Sequence, residues 1–172
     1  MISENKKKSQ GYTLVEMMVV IAIVGVFSAF VISSFSGSQA TWALDTSSRE
    51  LVAIIRQAQN NAVTGRYLQA GEIPCRYGVA KVSANQYKLY YKYRLPSDPS
   101  DCSVVSSSDI MTYTLRGGAT FQSFPSSAEY SLPRGDIGSG MTITLQDAPA
   151  TALNVCVSNN GMVIGGTTQV CP

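Results

Sequence analysis

An uncharged, apolar run near the start is the feature that most constrains this chain. From Met17 to Leu44 no residue carries a formal charge, and Met17 to Ile32 is almost wholly apolar. Because a helix rises about 1.5 Å per residue, about 20 apolar residues cross the hydrocarbon core of a bilayer. The sequence therefore predicts a single membrane-crossing helix over about 12–35.

Charge is distributed unevenly around this run. Lys6, Lys7 and Lys8 precede it, whereas from Tyr12 onward ten basic residues balance ten acidic ones. Lysines flanking a membrane helix stay in the cytoplasm, so the C-terminal part is expected outside it. A neutral main body gives no electrostatic argument for nucleic acid as a main partner.

The chain has no histidine, which removes the commonest acid–base group and metal ligand.

Glu16 stands at the head of the apolar run. A charge at the centre of a bilayer costs roughly 2.5–3.5 kcal/mol, so this carboxylate needs a partner. The alternative interpretation is a cleaved secretory signal peptide, with small residues near Ala29 or Ala40 offering a cleavage site. A glutamate at the head of the apolar segment is unusual for that class of signal.

The stretch KKKSQGYTLVEMMVVIAIVGV resembles the class III signal of type IV pilins and type II secretion pseudopilins. The shared pattern is a basic leader, a glycine, an aromatic residue, Thr-Leu, a branched aliphatic residue, a glutamate and an apolar helix. The resemblance implies that a prepilin peptidase cuts between Gly11 and Tyr12 on the cytoplasmic face, removing residues 1–11 as a leader, and methylates the new amino group of Tyr12. Tyr12 stands where phenylalanine is more usual.

Cleavage at that bond would make Glu16 the fifth residue of the mature chain. In a stack of such helices its carboxylate would meet the amino group at Tyr12 of a neighbouring subunit, so that two costly charges offset one another only in register. The resemblance thus implies other pilins or pseudopilins and the bacterial inner membrane as partners. Glu16 is expected to set assembly register and to have no catalytic role.

The apolar pattern continues beyond the predicted membrane span. Leu44, Leu51, Ile55, Ala58 and Ala62 recur at helical spacing, which predicts one helix over 12–64 that ends at Gly65. Residues 65–172 are expected to form an extracytoplasmic β-rich domain, giving an α+β class with the helix packed on an antiparallel sheet. Strands are predicted at 76–82, 86–94, 110–116, 119–124, 141–145, 153–158 and 162–166. The stretches 95–109 and 131–140 are predicted to be loops.

One predicted strand combines tyrosines with basic residues. Period-two alternation places Lys88, Tyr90, Lys92 and Arg94 on one face. On such a face the tyrosine could stack on the bases of a single-stranded nucleic acid, and the basic side chains could neutralise its phosphates. A half-buried strand with a solvated, charged second face is the favoured interpretation, because the chain is neutral overall.

Four cysteines fall in the predicted extracytoplasmic domain, and four cysteines allow three pairings. Nearest-neighbour pairing, Cys75–Cys102 and Cys156–Cys171, is the prediction. A zinc site is the alternative, but the sequence has neither a CxxC pair nor a histidine.

The chain is also similar to the GspH/FimT group of minor pilins and pseudopilins, through LVAIIRQAQNNAVTGR, SLPRGDI and NVCVSNNGMV. Some FimT-like members resemble DNA-uptake pilins with a Gly-Arg-x-Arg motif on the final hairpin. Here that hairpin reads Gly161-Met162-Val163-Ile164, so DNA binding through it is not expected.

Three functions remain open at this stage: a structural filament subunit, which is favoured; a pilus-tip module that binds DNA or a surface; and a membrane-anchored enzyme. For the last, a serine acting with a lysine such as Lys81 is conceivable, but the sequence has no recognisable nucleophile motif or P-loop. The protein is therefore expected to need no cofactor and to catalyse no reaction.

Overall fold

A computed structural model describes residues 12–66, 69–99, 101–125, 127–147, 151–167 and 171, without the side chains of 30–38 and 167. The chain divides into two compact units, residues 1–38 and 39–172. The elements in order are α1 (Leu14–Thr64), β1 (Ile73–Lys81), β2 (Gln86–Arg94), β3 (Ser106–Thr114), β4 (Thr120–Ser123), β5 (Ala128–Ser131), β6 (Met141–Gln146), β7 (Ala152–Val157) and β8 (Val163–Thr167). The class is α+β, as the sequence predicts.

The end of α1 follows from its sequence. Gly65 adopts a positive φ of 59°, which costs a glycine little. Arg66 then donates its backbone N–H to the carbonyl of Asn61 at 3.3 Å, which closes a Schellman-type C-cap. The helix ends at the residue before the predicted glycine stop.

The predicted membrane span of about 12–35 falls partly on residues 30–35, whose side chains lie outside the described part. Within the described residues, no helix combines the length and the apolar character that a bilayer crossing requires.

The described residues of the β domain form two four-stranded antiparallel sheets, a division that the sequence prediction did not specify. One has the order β3-β2-β1-β5 and the other β4-β6-β7-β8, and every pairing between neighbours is antiparallel. The chain moves to the second sheet at β4, returns through β5 to pair with β1, and then completes the second sheet. Periodicity within a strand does not reveal its partner, because pairing depends on residues far apart in sequence.

The second half of α1 packs on these strands through the predicted stripe. Leu44, Leu51, Ile55, Ala58 and Ala62 are all fully buried. They belong to a core whose strand side chains include three fully buried residues, Tyr77, Val79 and Leu89. The prediction of an amphipathic helix over the β domain is confirmed for this unit.

The largest differences from the predicted strands are at β3 and β5, while β1 begins three residues earlier than predicted, at Ile73. β3 begins at Ser106, inside the predicted loop 95–109, because Ser106–Ser108 extend the ladder opposite residues 91–93 of β2. β5 was not predicted; its four residues include the fully buried Tyr130, which pairs with Tyr77 of β1. Serines favour turns and β5 is short, so tertiary pairing overrides the local signal in both places.

Candidate functional site

The first turn of α1 is organised by a side-chain cap. The backbone N–H of Glu16 donates to the Thr13 hydroxyl oxygen at 3.3 Å, and that of Met17 donates to the Thr13 carbonyl at 3.2 Å. Thr13 is therefore the N-cap and Glu16 occupies the third helical position, which is the spacing of a capping box. A carboxylate in the first turn also interacts favourably with the positive end of the helix dipole. The Thr-x-x-Glu spacing was readable in the sequence but was not used in the prediction.

Tyr12 and Glu16, the residues singled out in the N-terminal motif, are both exposed, with Tyr12 at 77 %. No ion pair involves Glu16 among the described residues. Gly11 and the three leader lysines Lys6, Lys7 and Lys8 lie outside the described residues.

The helix is apolar on every side after Glu16. Its large side chains are exposed by half or more of their area: Leu14, Val15, Met17, Met18, Val19, Val20, Ile21, Ile23, Val24, Val26 and Phe27. Ser28 donates its hydroxyl to the carbonyl of Val24 at 2.7 Å, so its polar group is satisfied within the helix. A continuous apolar surface of this kind requires an apolar environment or a partner.

The basic face of β2, which carries Lys88, Tyr90, Lys92 and Arg94, is occupied by contacts within the chain. The Lys88 ammonium lies 2.8 Å from Asp109, and the Lys92 ammonium lies 2.7 Å from Glu129. Arg94 donates to the carbonyl of Asp98 at 3.4 Å. The four proposed ligand residues therefore share a face, but their cations are already paired or bonded.

Tyr90, the aromatic member of that face, is only 6 % exposed. Its ring lies across Gly78, where a Cβ would be 2.9 Å from the ring carbon Cζ. Its hydroxyl donates to Glu129 at 2.6 Å, and burial together with that bond raises the pKa of Tyr90. A ring covered in this way offers little surface on which a base could stack.

Glu129 is the centre of this cluster. Burial alone would raise the pKa of its carboxyl, but hydrogen bonds from Lys92 and Tyr90 outweigh burial and the pKa is lowered. Arg76 adds a third contact at 3.4 Å. The cluster ties β1, β2 and β5 together as a structural network.

Disulfides join Cys75 to Cys102 and Cys156 to Cys171, the pairs chosen from the sequence. No described cysteine is free, so all four thiols are consumed and none remains as a zinc ligand. On the final hairpin, Met162 and Ile164 are 54 % and 43 % exposed where a DNA-uptake motif would carry arginines.

The comparisons with known proteins concern the N-terminus. A family described as prokaryotic N-terminal methylation motif matches residues 6–32, which include the Gly11–Tyr12 bond and Glu16. No curated protein and no solved structure matches the chain. The N-terminal segment therefore carries a methylation signal of the prepilin type, similar to that of type IV pilins and pseudopilins.

Proposed function

We propose that the protein is a minor pilin or pseudopilin of the GspH/FimT kind, a non-enzymatic subunit of a type IV pilus or type II secretion filament. In this proposal a prepilin peptidase removes residues 1–11 and methylates the amino group of Tyr12. The helix holds the subunit in the bacterial inner membrane until assembly, with the β domain on the extracytoplasmic side. The observation that carries the proposal is the match of the methylation motif to residues 6–32.

The start of the helix supports this role. The expected mature N-terminus, Tyr12, lies two residues before the first helical residue, beside the Thr13 cap. A positive amino group there opposes the helix dipole, so a carboxylate from outside would stabilise it. Glu16 is exposed and takes part in no ion pair among the described residues, which leaves its charge available to another subunit.

The apolar surface of residues 14–27 supports assembly by helix stacking. It is exposed on all sides in one chain, and contact with water would cost roughly 25 cal/mol per Å² of this apolar area. Transfer from lipid to a stack of helices would keep it away from water throughout.

The two disulfides support an extracytoplasmic β domain. Disulfides persist in oxidising compartments and are rare in the cytosol. Cys75–Cys102 and Cys156–Cys171 both lie in the unit of residues 39–172.

A binding module at a pilus tip is the weaker alternative. Lys88 and Lys92 form ion pairs within the chain, and Tyr90 is buried. A nucleic acid would have to displace Asp109 and Glu129 before it gained contacts to these cations.

The processing step is tested by intact mass and N-terminal sequencing of the protein from membranes, with and without a co-expressed prepilin peptidase. The expected result is an N-terminus at Tyr12 that carries one added methyl group and depends on the peptidase. A peptidase-independent N-terminus near Ala29 or Ala40 would instead show a secreted protein and refute the proposal.

The role of Glu16 is tested by a matched pair of variants. Glu16→Gln retains a side chain that completes the capping box but removes the charge, whereas Glu16→Ala removes both. If Glu16 pairs with the amino group of another subunit, both variants are processed at Tyr12 yet neither enters filaments. Normal incorporation of Glu16→Gln would show that Glu16 acts only as a local cap.

A further inference from the structure

The β domain has two ends, defined by its contacts with α1 within the unit of residues 39–172. Gly117, in the turn between β3 and β4, lies so close to Ala43 that a Cβ on the glycine would overlap the alanine Cβ. Gly135 lies against Val63 in the same way, about 30 Å further along the helix. The end beside Ala43 is where the chain enters the unit, so we call it the entry end, and we call the end beside Val63 the far end.

Two turns of the sheets meet at the entry end. Leu115 donates its backbone N–H to the carbonyl of Asn85 at 2.8 Å, and Phe121 donates its own to the carbonyl of Ala84 at 2.7 Å. These bonds hold the turn between β1 and β2 beside the turn between β3 and β4. The entry end is therefore built from both turns and the start of the helical segment.

The cations at the entry end face outward more than the anions do. The Arg49 side chain is 78 % exposed, whereas its aspartate partner one turn earlier is 43 % exposed. Arg116 and Glu50 lie 3.5 Å apart, and their side chains are 69 % and 32 % exposed. Lys81 is exposed and takes part in no ion pair among the described residues, while Asp147, just after β6, is buried. The surface of this end therefore presents positive charge.

Two large apolar side chains are exposed among these cations. Trp42, the sole tryptophan of the chain, is 72 % exposed and precedes Arg49 by two helical turns on the same face. Val82 is 50 % exposed and directly follows Lys81. Tryptophan is enriched at the headgroup level of membranes because its ring is amphipathic, and lysine and arginine near a membrane surface are attracted to anionic lipids. The entry end thus has the composition of a surface that contacts lipid headgroups.

We propose that the entry end contacts anionic phospholipid headgroups of the membrane that holds the protein, with Trp42 among the headgroups and with Lys81 and the two arginines beside lipid phosphates. The inference rests on the proposed function, under which the chain leaves the bilayer shortly before Gln39 and enters the β domain at this end. One copy of the protein is enough for this contact, so it suits a minor subunit. The headgroups would hold the β domain at the bilayer surface until the subunit enters a filament.

Fluorescence of the full-length protein in lipid vesicles tests this contact. A polarity-sensitive fluorophore is attached to Val82→Cys at the entry end or to Val63→Cys at the far end, two valines that are 50 % and 51 % exposed. The vesicles contain phosphatidylcholine alone or equal parts of phosphatidylcholine and phosphatidylglycerol, and a small share of the headgroups carries a spin label that quenches nearby fluorophores. We expect strong quenching at Val82→Cys in the anionic vesicles only, and little quenching at Val63→Cys in either.

Charge variants then test which residues carry the contact. Lys81→Gln should lower the ratio of docked to undocked fluorophore about fivefold in the anionic vesicles, and a higher ionic strength should lower it further. Arg134→Gln removes the same charge from an exposed residue at the far end and should leave the ratio unchanged. Circular dichroism of each variant verifies that it folds. Equal quenching in the two kinds of vesicle, or equal effects of the two charge variants, would overturn the inference.

Flotation of the same samples on a density gradient separates the two proposals. Protein that floats with both kinds of vesicle but shows no specific quenching at Val82→Cys would refute only the headgroup contact and leave the entry end available to another subunit. Protein that floats with neither kind would refute anchoring in the membrane, and with it the proposed function.

Discussion

Two neighbouring tyrosines should respond in opposite directions to the same change. Tyr77 and Tyr130 face each other across β1 and β5, and both are fully buried. Tyr77 donates its hydroxyl to the carbonyl of Arg66, just beyond the end of α1, whereas the Tyr130 hydroxyl has no partner among the described residues. Phenylalanine substitution removes one oxygen at each site and changes little else.

The expected magnitudes follow from these environments. Tyr77→Phe removes a hydrogen bond that holds the helix end to the sheet, at a cost of about 1–1.5 kcal/mol in the free energy of unfolding. Tyr130→Phe removes a buried polar group that gains nothing from folding, which should stabilise by about 1–3 kcal/mol. The two variants should therefore differ by about 2–4.5 kcal/mol, with opposite signs relative to the parent protein.

Thermal unfolding of the purified full-length protein, followed by near-ultraviolet circular dichroism, measures both effects. At about 3–5 °C per kcal/mol for a domain of this size, the two midpoints should lie roughly 6–20 °C apart. If Tyr130→Phe is destabilising by as much as Tyr77→Phe, the Tyr130 hydroxyl has a partner, such as a buried water, and the reasoning fails.

Three further predictions concern the β domain. Gly78→Ala should destabilise by about 1–3 kcal/mol, because its Cβ would lie 2.8 Å from a carbonyl oxygen of β5 and 2.9 Å from a tyrosine ring; Gly138→Ala, with open space around it, is the control in the same urea titration. The lowered pKa of Glu129 means that the folded state releases its proton more readily than the unfolded state, so its stabilisation is present above the ordinary carboxyl pKa and is lost as the pH falls through the folded value. Glu129→Gln should flatten the acidic side of the stability–pH curve, and an unchanged slope would contradict this assignment. Replacing Cys156 and Cys171 together by serine opens a loop of 15 residues and should cost about 3 kcal/mol, measured by chemical denaturation without reductant.

The sequence predicted well those features that depend on local pattern. The stripe from Leu44 to Ala62 has helical periodicity, and all five of its members are buried. The limits of β2 agree with the prediction, because alternation over QYKLYYKYR is strong and Ser83-Ala84-Asn85 marks a turn before it.

The pairing of strands that are far apart in the sequence was harder to predict. Nothing local indicates that residues 128–131 pair with β1 rather than with a sequence neighbour, and this pairing puts β5 in the first sheet although β4 and β6 on either side of it belong to the second. Alternation also placed Tyr90 on the solvated face of β2. Its ring is nevertheless buried, because it lies across Gly78, the residue opposite it on β1, which has no side chain. The contact between β8 and α1 was not predicted because it depends on Gly165 lying against Val52, 113 positions earlier in the chain.

Some charged side chains of the chain form ion pairs within it, and among the described residues Glu16 does not. The cations of the sheet face are used internally: Lys88 with Asp109, and Lys92 with Glu129. Glu16 takes part in no such pair among the described residues. An isolated charge near an apolar surface is costly unless a partner neutralises it. Under the proposed function, cleavage within the methylation motif would supply that partner as the amino group of Tyr12 in another subunit.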